Sequence, residues 1–277
     1  MYQPSFESCW AKINRAEELR NALDKEIWEF LQDERNRATM RADADAQTGH
    51  HILSLQTVPD LSAFQQRTSV IVGDIVHDLR STLDHLTWQL ACHNTNGNPL
   101  HPRTVQFPIE DRPADFTKRC EEKGWIGEVA SAHQAVIKRY QPVPGLNPPS
   151  QQFWARYVHE LALLRDLSNA DKHRVLIEID LPVTGFHLLV RFAPGAIGPF
   201  EHDREFPIDH TLKVGAQVMR ARLISGPNIS KIEPHMEMVG HATPEVCLIK
   251  GGPVVPNLGR ISTFVSYIIR EFEQLPY

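Results

Sequence analysis

The sequence predicts an α+β fold, with a bundle of long helices, a C-terminal mostly antiparallel β region and a returning C-terminal helix. Up to residue 174, apolar side chains recur every three or four residues, as on one face of a helix. From residue 175 the apolar period falls to about two, which is typical of strands. We therefore expect a helical region over 1–174, a β-rich region over 175–256, and a helix over 257–277 that packs back on the body.

The long helices are each predicted from an apolar stripe that ends at turn-forming residues. The second, for example, stops at residues 94–99, where Asn, Gly and Pro are dense. Shorter helices are predicted over 114–123 and 125–140. The long helices are predicted over 5–33, from 61 or 69 to 93, over 150–172 and over 258–274.

Strands are predicted where short apolar segments alternate with polar residues between Gly and Pro. Two such segments flank Gln47, Thr48 and Gly49 and predict a β-hairpin near 38–58, inside the helical region. Further strands are predicted over 105–109, 175–181, 186–192, 214–224, 229–238 and 246–249.

The composition is that of an ordinary globular protein, with 42% hydrophobic and 23% charged residues. A net charge of -5 argues against a protein that coats nucleic acid, which needs a basic excess, but permits a local basic groove.

The four cysteines form no CxxC pair, and neither a signal peptide nor an apolar run of about 20 residues is evident. We therefore expect reduced thiols, a cytoplasmic location and no membrane partner. No nucleotide-binding or hydrolase motif is present, so no cofactor is predicted.

A first polar cluster lies on the second long helix. In a projection of about 100° per residue, His77, Arg80 and Asp84 line up opposite the apolar stripe, with His85 at the border. Gly73, one turn earlier, costs about 1 kcal/mol relative to Ala, which predicts that another group approaches the helix closely there. His can exchange a proton near neutral pH, Arg can hold an anionic oxygen, and Asp can orient either one. These four polar residues are the catalytic candidates.

The same cluster also has a structural interpretation. Arg80 and Asp84 are four residues apart and can form an intrahelical ion pair, while His77 can bond to another helix. The two polar clusters of the chain would then form a structural network in a non-catalytic binding or assembly protein.

A second polar cluster ends the third long helix, whose apolar stripe turns polar in its last two turns and so predicts a cleft-facing site. Cationic residues near a helix C-terminus also complement its dipole, but this does not explain the amide and the carboxylate of the cluster. We expect the two clusters to meet, with at least one side chain among His77, Arg80, Asp84 and His85 within hydrogen-bonding reach of Asn169, Asp171 or His173. No metal motif such as HExxH appears on these helices, so no metal site is predicted. The substrate-binding candidates are Asn169, Asp171, Lys172, His173 and Arg174.

Two motifs resemble those of HEPN-type proteins, helical domains that often act as metal-independent endoribonucleases in toxin and antiviral systems. Arg80 and His85 fit the Arg-x4-6-His pattern, and Asn169 and His173 have the spacing of its Arg-Asn-x3-His version, with Ser168 in place of the Arg. The chain as a whole is similar to uncharacterised bacterial proteins that pair two such segments.

The resemblance covers residues 1–174 and implies RNA as the partner. Arg80 would bind the phosphate, and His85 would activate or protonate the ribose oxygen or the leaving group. These residues are about 140° apart on a straight helix, so they reach one site only where it straddles the helix edge, as at the cleft of a homodimer. The β-rich region has no place in a minimal HEPN domain and would recognise substrate or mediate assembly.

Three functions follow from the sequence. The first is a HEPN-like endoribonuclease. The second is a non-catalytic binding or assembly protein with a structural polar network. The third is an enzyme that acts on a small anionic substrate held by Arg80, Lys172 and Arg174.

Overall fold

The fold is α+β, as the sequence predicts. The computed structural model describes residues 2–45, 48, 50–143, 152–172, 176–192, 200–223, 236–248 and 252–277. A 3₁₀ turn at Glu34–Asn36 follows the first helix, and a π-helical turn at Lys118–Glu122 follows the third. The α-helices in these ranges are α1 Glu7–Gln32, α2 Ser62–Asn94, α3 Pro113–Thr117, α4 Ser131–Arg139, α5 Gln152–Lys172 and α6 Val254–Glu273.

The predicted long helices are confirmed, and most of their ends lie within a few residues of the predicted positions. The start of α2 at Ser62 agrees with the earlier of its two predicted starts, and α6 begins four residues before its predicted start at 258. The strand predicted over 105–109 is wrong, because these residues form irregular backbone. None of the described helices combines the length and the apolar character that crossing a bilayer requires.

The chain divides into two compact units, and the second comprises Lys25–Gln65 and Ile179–Ile249. It contains a six-stranded sheet of order β4-β7-β1-β2-β6-β5, in which every described pair is antiparallel. The strands within the described residues of both units are β1 Ala38–Asp45, β2 His50–Thr57, β3 Ile179–Asp180, β4 Val183–Phe192, β5 Phe200–His202, β6 Gln217–Leu223, β7 Met236–Pro244, β8 Cys247–Leu248 and β9 Gly252–Pro253.

The predicted hairpin is confirmed, but it belongs to a different unit from the one the sequence suggested. β1 and β2 pair with each other, beginning at the residue pair Asp45 and His50. In addition, β1 pairs with β7, and β2 pairs with β6. Met40 and Leu53 are buried in a cluster with Val218 of β6. The hairpin therefore lies at the centre of the sheet rather than in the helical region 1–174, because its buried face finds its partners far along the chain.

The first unit comprises Met1–Asp24, Gln66–Glu178 and Lys250–Tyr277 and contains the helical core. Burying an apolar side chain of Leu or Phe size contributes roughly 1.5–3 kcal/mol, so the stripes of α2 and α6 stabilise this unit strongly. Arg260 on α6 pairs with Glu160 on α5 at 3.0 Å, so the C-terminal helix returns to the helical core as predicted. The buried stripes are Val72, Ile75, Val76, Leu79, Leu83, Leu86 and Leu90 on α2, and Leu258, Ile261, Phe264, Val265, Ile268, Ile269 and Phe272 on α6.

Candidate functional site

A pocket of about 100 Å³ lies in the first unit, beside α2 and the C-terminal end of α5. Four described lining residues are cationic, namely Arg80, Arg119, Arg165 and Lys172, and one, Glu110, is anionic. A water molecule occupies about 30 Å³ in the liquid, so the pocket has room for a few water molecules or a small polar group. Its wall is rich in hydrogen-bond donors, although the whole chain carries a net charge of -5.

Arg80 reaches the pocket from α2 and also holds the backbone of the irregular segment beside it. Its Nη2 donates to the carbonyl oxygen of Phe107 at 2.7 Å and lies 3.1 Å from Asp84 Oδ1. Asp84 Oδ1 in turn accepts from the backbone N–H of Phe107 at 2.9 Å. One turn of α2 therefore binds both polar backbone groups of Phe107, and the ion pair of the structural interpretation is present.

The other terminal nitrogen of the Arg80 guanidinium, Nη1, takes no part in these bonds. The side chain is 8% exposed, and its buried Nη1 has no hydrogen-bond partner among the described residues. Burial lowers the pKa of Arg80, against the opposing charges of Asp84 and Glu110. Guanidinium stays protonated in proteins, so this donor is charged at neutral pH. A buried donor without a partner costs about 1–3 kcal/mol, and more when it is charged, so an acceptor placed at this guanidinium would offset a real cost.

The pocket wall also includes the irregular segment around residues 106–110, which side chains hold in place. Gln141, fully buried, donates from Nε2 to the carbonyl oxygen of Pro108 at 2.8 Å and accepts at Oε1 from the N–H of Glu110 at 3.0 Å. The N–H of Gln106 donates to the carbonyl oxygen of Trp125 at 3.1 Å. These bonds replace the ladder of a strand, which satisfies the buried backbone and fixes Glu110 against the pocket.

Arg119 comes from the π-helical turn that follows α3. Its Nε lies 2.7 Å from Glu110 Oε1, and its guanidinium carbon lies 4.5 Å from the ring centroid of Trp125. Single π-helical turns are rare in proteins overall, but those that occur are often found at functional sites. Because Glu110 and Trp125 contact the guanidinium from two directions, its orientation in the wall is fixed.

The end of α5 supplies the remaining wall. A Cβ added to Gly73 would lie 2.7 Å from Asp171 Oδ1, which confirms the close approach that the sequence predicted for this glycine. Ser168 is buried, while Asn169 and Lys172 are exposed at the pocket. The two polar clusters therefore meet at one pocket. Among the described side chains they share its wall rather than a direct hydrogen bond.

Arg165, one turn before Asn169, is held by carboxylates outside the pocket. Its Nε donates to Asp166 Oδ1 at 2.9 Å, and its Nη2 lies 3.3 Å from Asp111 Oδ2. Burial alone would lower the pKa of Arg165, but the hydrogen bonds and charges of Asp166 and Asp111 raise it. It remains a cation, and both of its carboxylate partners are largely exposed to solvent.

Two of the predicted histidines, His77 and His85, do not line this pocket. His85 faces α1, with Nδ1 3.2 Å from Ser8 Oγ, and His77 is exposed on α2. Burial, helped by the charge of Lys12, lowers the pKa of His85 against the opposing charge of Asp84. Arg80 and His85 thus contact different parts of the first unit, as their angular separation on the helix implied. His173 and Arg174 lie outside the described residues.

Sequence reasoning missed Glu110, Arg119, Trp125 and Gln141. Glu110 lies in an irregular segment, which has no apolar period, and the other three lie in or beside predicted short helices whose patterns do not single them out. One signal was available. Residues 99–115 form a Pro-rich connection longer than most, and long connections in compact domains are often functional.

Among the described residues, no group of three or more His, Cys, Asp or Glu side chains is placed to hold a metal ion. The likeness to HEPN-type proteins rests on the spacings of Arg80 with His85 and of Asn169 with His173. Comparisons of the chain with models of protein families, with curated proteins and with solved structures found no match.

Proposed function

We propose that this protein binds a small anionic ligand in the pocket beside Arg80. The observation that carries the proposal is the buried guanidinium of Arg80, whose Nη1 has no partner among the described residues. Three further cations line the same pocket. A charge-assisted hydrogen bond in such a site contributes about 1.5–3 kcal/mol, so one anionic oxygen at Nη1 would offset the cost of the buried donor.

Each part of the wall has a distinct role in this proposal. Arg80 donates from the buried end, and Asn169 and Lys172 donate from the exposed end of α5. Glu110 is the carboxylate of the described wall, and its bond to Arg119 makes it an orienting group for that cation. Because this carboxylate is already paired, the arrangement supports binding more directly than proton transfer.

The test is stabilisation of the purified chain by anions at constant ionic strength, followed by thermal unfolding. A ligand at 100 times its Kd stabilises the native state by about 2.7 kcal/mol, which raises the unfolding temperature. We expect phosphate or acetate to do so, and Lys172→Met and Asn169→Ala to reduce the effect. Lys138→Met is the matched control, since Lys138 is exposed on α4 and does not line the pocket. Equal shifts in all variants, or no shift with any anion, would contradict the proposal.

A HEPN-like endoribonuclease is the second candidate, and a specific observation favours it. Arg80, the expected phosphate ligand, lies in a wall with three other cations. His85, the expected proton-transfer group, contacts Ser8 instead, so this function requires a second copy of the chain to complete the site.

The ribonuclease is tested by incubating labelled single-stranded RNA with wild type and His85→Ala in EDTA. Cleavage that His85→Ala abolishes while it remains folded would support this candidate. An absence of cleavage across several RNAs would remove it, and unchanged cleavage in His85→Ala would point to a contaminating nuclease or to His77.

A further inference from the structure

We infer that the ligand of this pocket is the phosphate group of a small phosphate monoester, an inference that rests on the binding function proposed above. Three features of the pocket support this ligand class, namely the chemistry of the wall, the elements from which it donates and the part of its lining that is exposed.

The wall offers mainly donors. Arg80, Arg119, Lys172 and Asn169 present guanidinium, ammonium and amide N–H groups, whereas Glu110 is the described carboxylate of the wall and is paired with Arg119. An ionised oxyanion accepts hydrogen bonds and donates none. Such a wall therefore matches a ligand with several acceptor oxygens and no donor at its bound end.

The donors come from different elements of the fold. Arg80 lies on α2, Arg119 on the π-helical turn, and Asn169 and Lys172 on α5. A carboxylate presents its two oxygens in one plane and is well satisfied by one or two cations. A tetrahedral phosphate presents three terminal oxygens in three directions, and so it uses donors from three or more elements.

The most exposed part of the pocket lining lies at the end of α5, while Gln106, Arg119, Trp125 and Arg165 are half-buried. Arg80, Glu110 and Ser168 are buried, whereas the exposed lining residues, Asn169 and Lys172, both belong to the last turns of α5. About 100 Å³ accommodates the phosphate but little of its organic part. One substituent can leave past Asn169 and Lys172, as in a monoester. A phosphodiester such as the RNA backbone needs two exits.

The experiment is isothermal titration calorimetry of the full chain with probes that separate these properties. Methyl phosphate is the monoester, dimethyl phosphate is the diester, methyl sulfate has the tetrahedral shape with one charge, and acetate is a planar monoanion. We expect methyl phosphate to bind at least about tenfold more tightly than each of the others, which corresponds to about 1.4 kcal/mol. The ester phosphate has a second pKa of about 6, so its binding should weaken between about pH 8 and about pH 5, whereas that of methyl sulfate should not.

Variants tie the binding to the pocket. Lys172→Met and Asn169→Ala, both at exposed positions, should weaken methyl phosphate, and Lys138→Met should not. Equal binding of acetate or dimethyl phosphate, or loss in Lys138→Met as large as in Lys172→Met, would overturn the inference. A phosphoserine peptide that bound more tightly than methyl phosphate would make a protein the ligand and would also overturn it. If none of the probes binds, the proposed function itself fails, whereas equal binding of all of them leaves that function standing without its ligand class.

Discussion

Two sides of α2 carry polar residues within a few positions of each other, and their surroundings differ. On one side, His85 contacts Ser8 and Asp78 pairs with Lys12 at 3.6 Å, both across to α1. On the other side, Arg80 and Asp84 bind the backbone of Phe107, and Arg80 Nη1 has no partner among the described residues.

The contrast between these two sides shows how a polar helix face forms a binding site. The α1 side joins regular helices, whose side chains pair with each other and can reach solvent. The Phe107 side supports irregular backbone. The N–H and carbonyl groups of this backbone bond to some of the donors and acceptors on α2 and thereby hold these side chains in place. Arg80 lines the pocket and is anchored through Nη2, so its guanidinium is held in place, and such preorganised groups bind anions with little reordering. The following predictions test this contrast.

The largest expected effect is that of Asp84→Ala. This substitution removes the carboxylate that contacts both the Arg80 guanidinium and the N–H of Phe107. Breaking a buried ion pair by removing one partner costs 3–5 kcal/mol, and because Asp84 is partly exposed we expect about 3 kcal/mol.

The matched control on the α1 side is Asp78→Ala, which should cost under about 1 kcal/mol because its ion pair with Lys12 is long, at 3.6 Å, and its carboxylate, unlike that of Asp84, accepts no backbone hydrogen bond among the described residues. Denaturant unfolding of both variants gives the comparison. Equal losses of stability would show that the Phe107 side is no more demanding than the α1 side, which would remove the contrast.

A smaller effect is expected where α2 meets α5. Ala is favoured over Gly in a helix by about 1 kcal/mol, but a Cβ at residue 73 would press on Asp171 Oδ1. We therefore expect Gly73→Ala to stabilise an Asp171→Ala background by about 1 kcal/mol and to stabilise the wild type less, or not at all.

A double-mutant cycle by denaturant unfolding measures this coupling. If Gly73→Ala had the same effect in both backgrounds, the carboxylate would simply move aside. The presence of glycine at position 73 would then need an explanation other than the close approach of Asp171.

The sequence predicted one half of this contrast well. The helices α2 and α5 follow from their apolar periods. Gly73 predicted a close approach to α2, which Asp171 makes, and the polar residues predicted that the two clusters meet, as Arg80 and Asn169 do by lining one pocket. The other half did not follow from periodicity. Glu110 lies in an irregular segment that Gln141 and Arg80 hold, and Arg119 lies in a π-helical turn and contacts Glu110 and Trp125. Such side-chain contacts between distant positions leave no period in the sequence.

The smallest expected effect is a pH dependence on the α1 side. The pKa of His85 is lowered in the folded protein by burial and by Lys12, with Asp84 opposing. An unfolded His has a pKa of about 6.5, so below that pH the unfolded chain binds the proton more readily than the folded one. The contribution of neutral His85 to stability is therefore complete above about pH 6.5 and is lost as the pH falls towards the lowered folded value.

We expect His85→Gln to make the stability of the chain less sensitive to pH in this window, because Gln can keep a hydrogen bond to Ser8 without titrating. His101→Gln, at an exposed position, is the matched variant and should leave the pH profile unchanged. Denaturant unfolding at a series of pH values measures both. Arg80 remains protonated throughout this window, so no corresponding change is expected from the guanidinium on the Phe107 side. A His85→Gln profile as steep as that of wild type would place the acid sensitivity elsewhere, and the buried His133, whose pKa is also lowered by burial, would be the next position to vary.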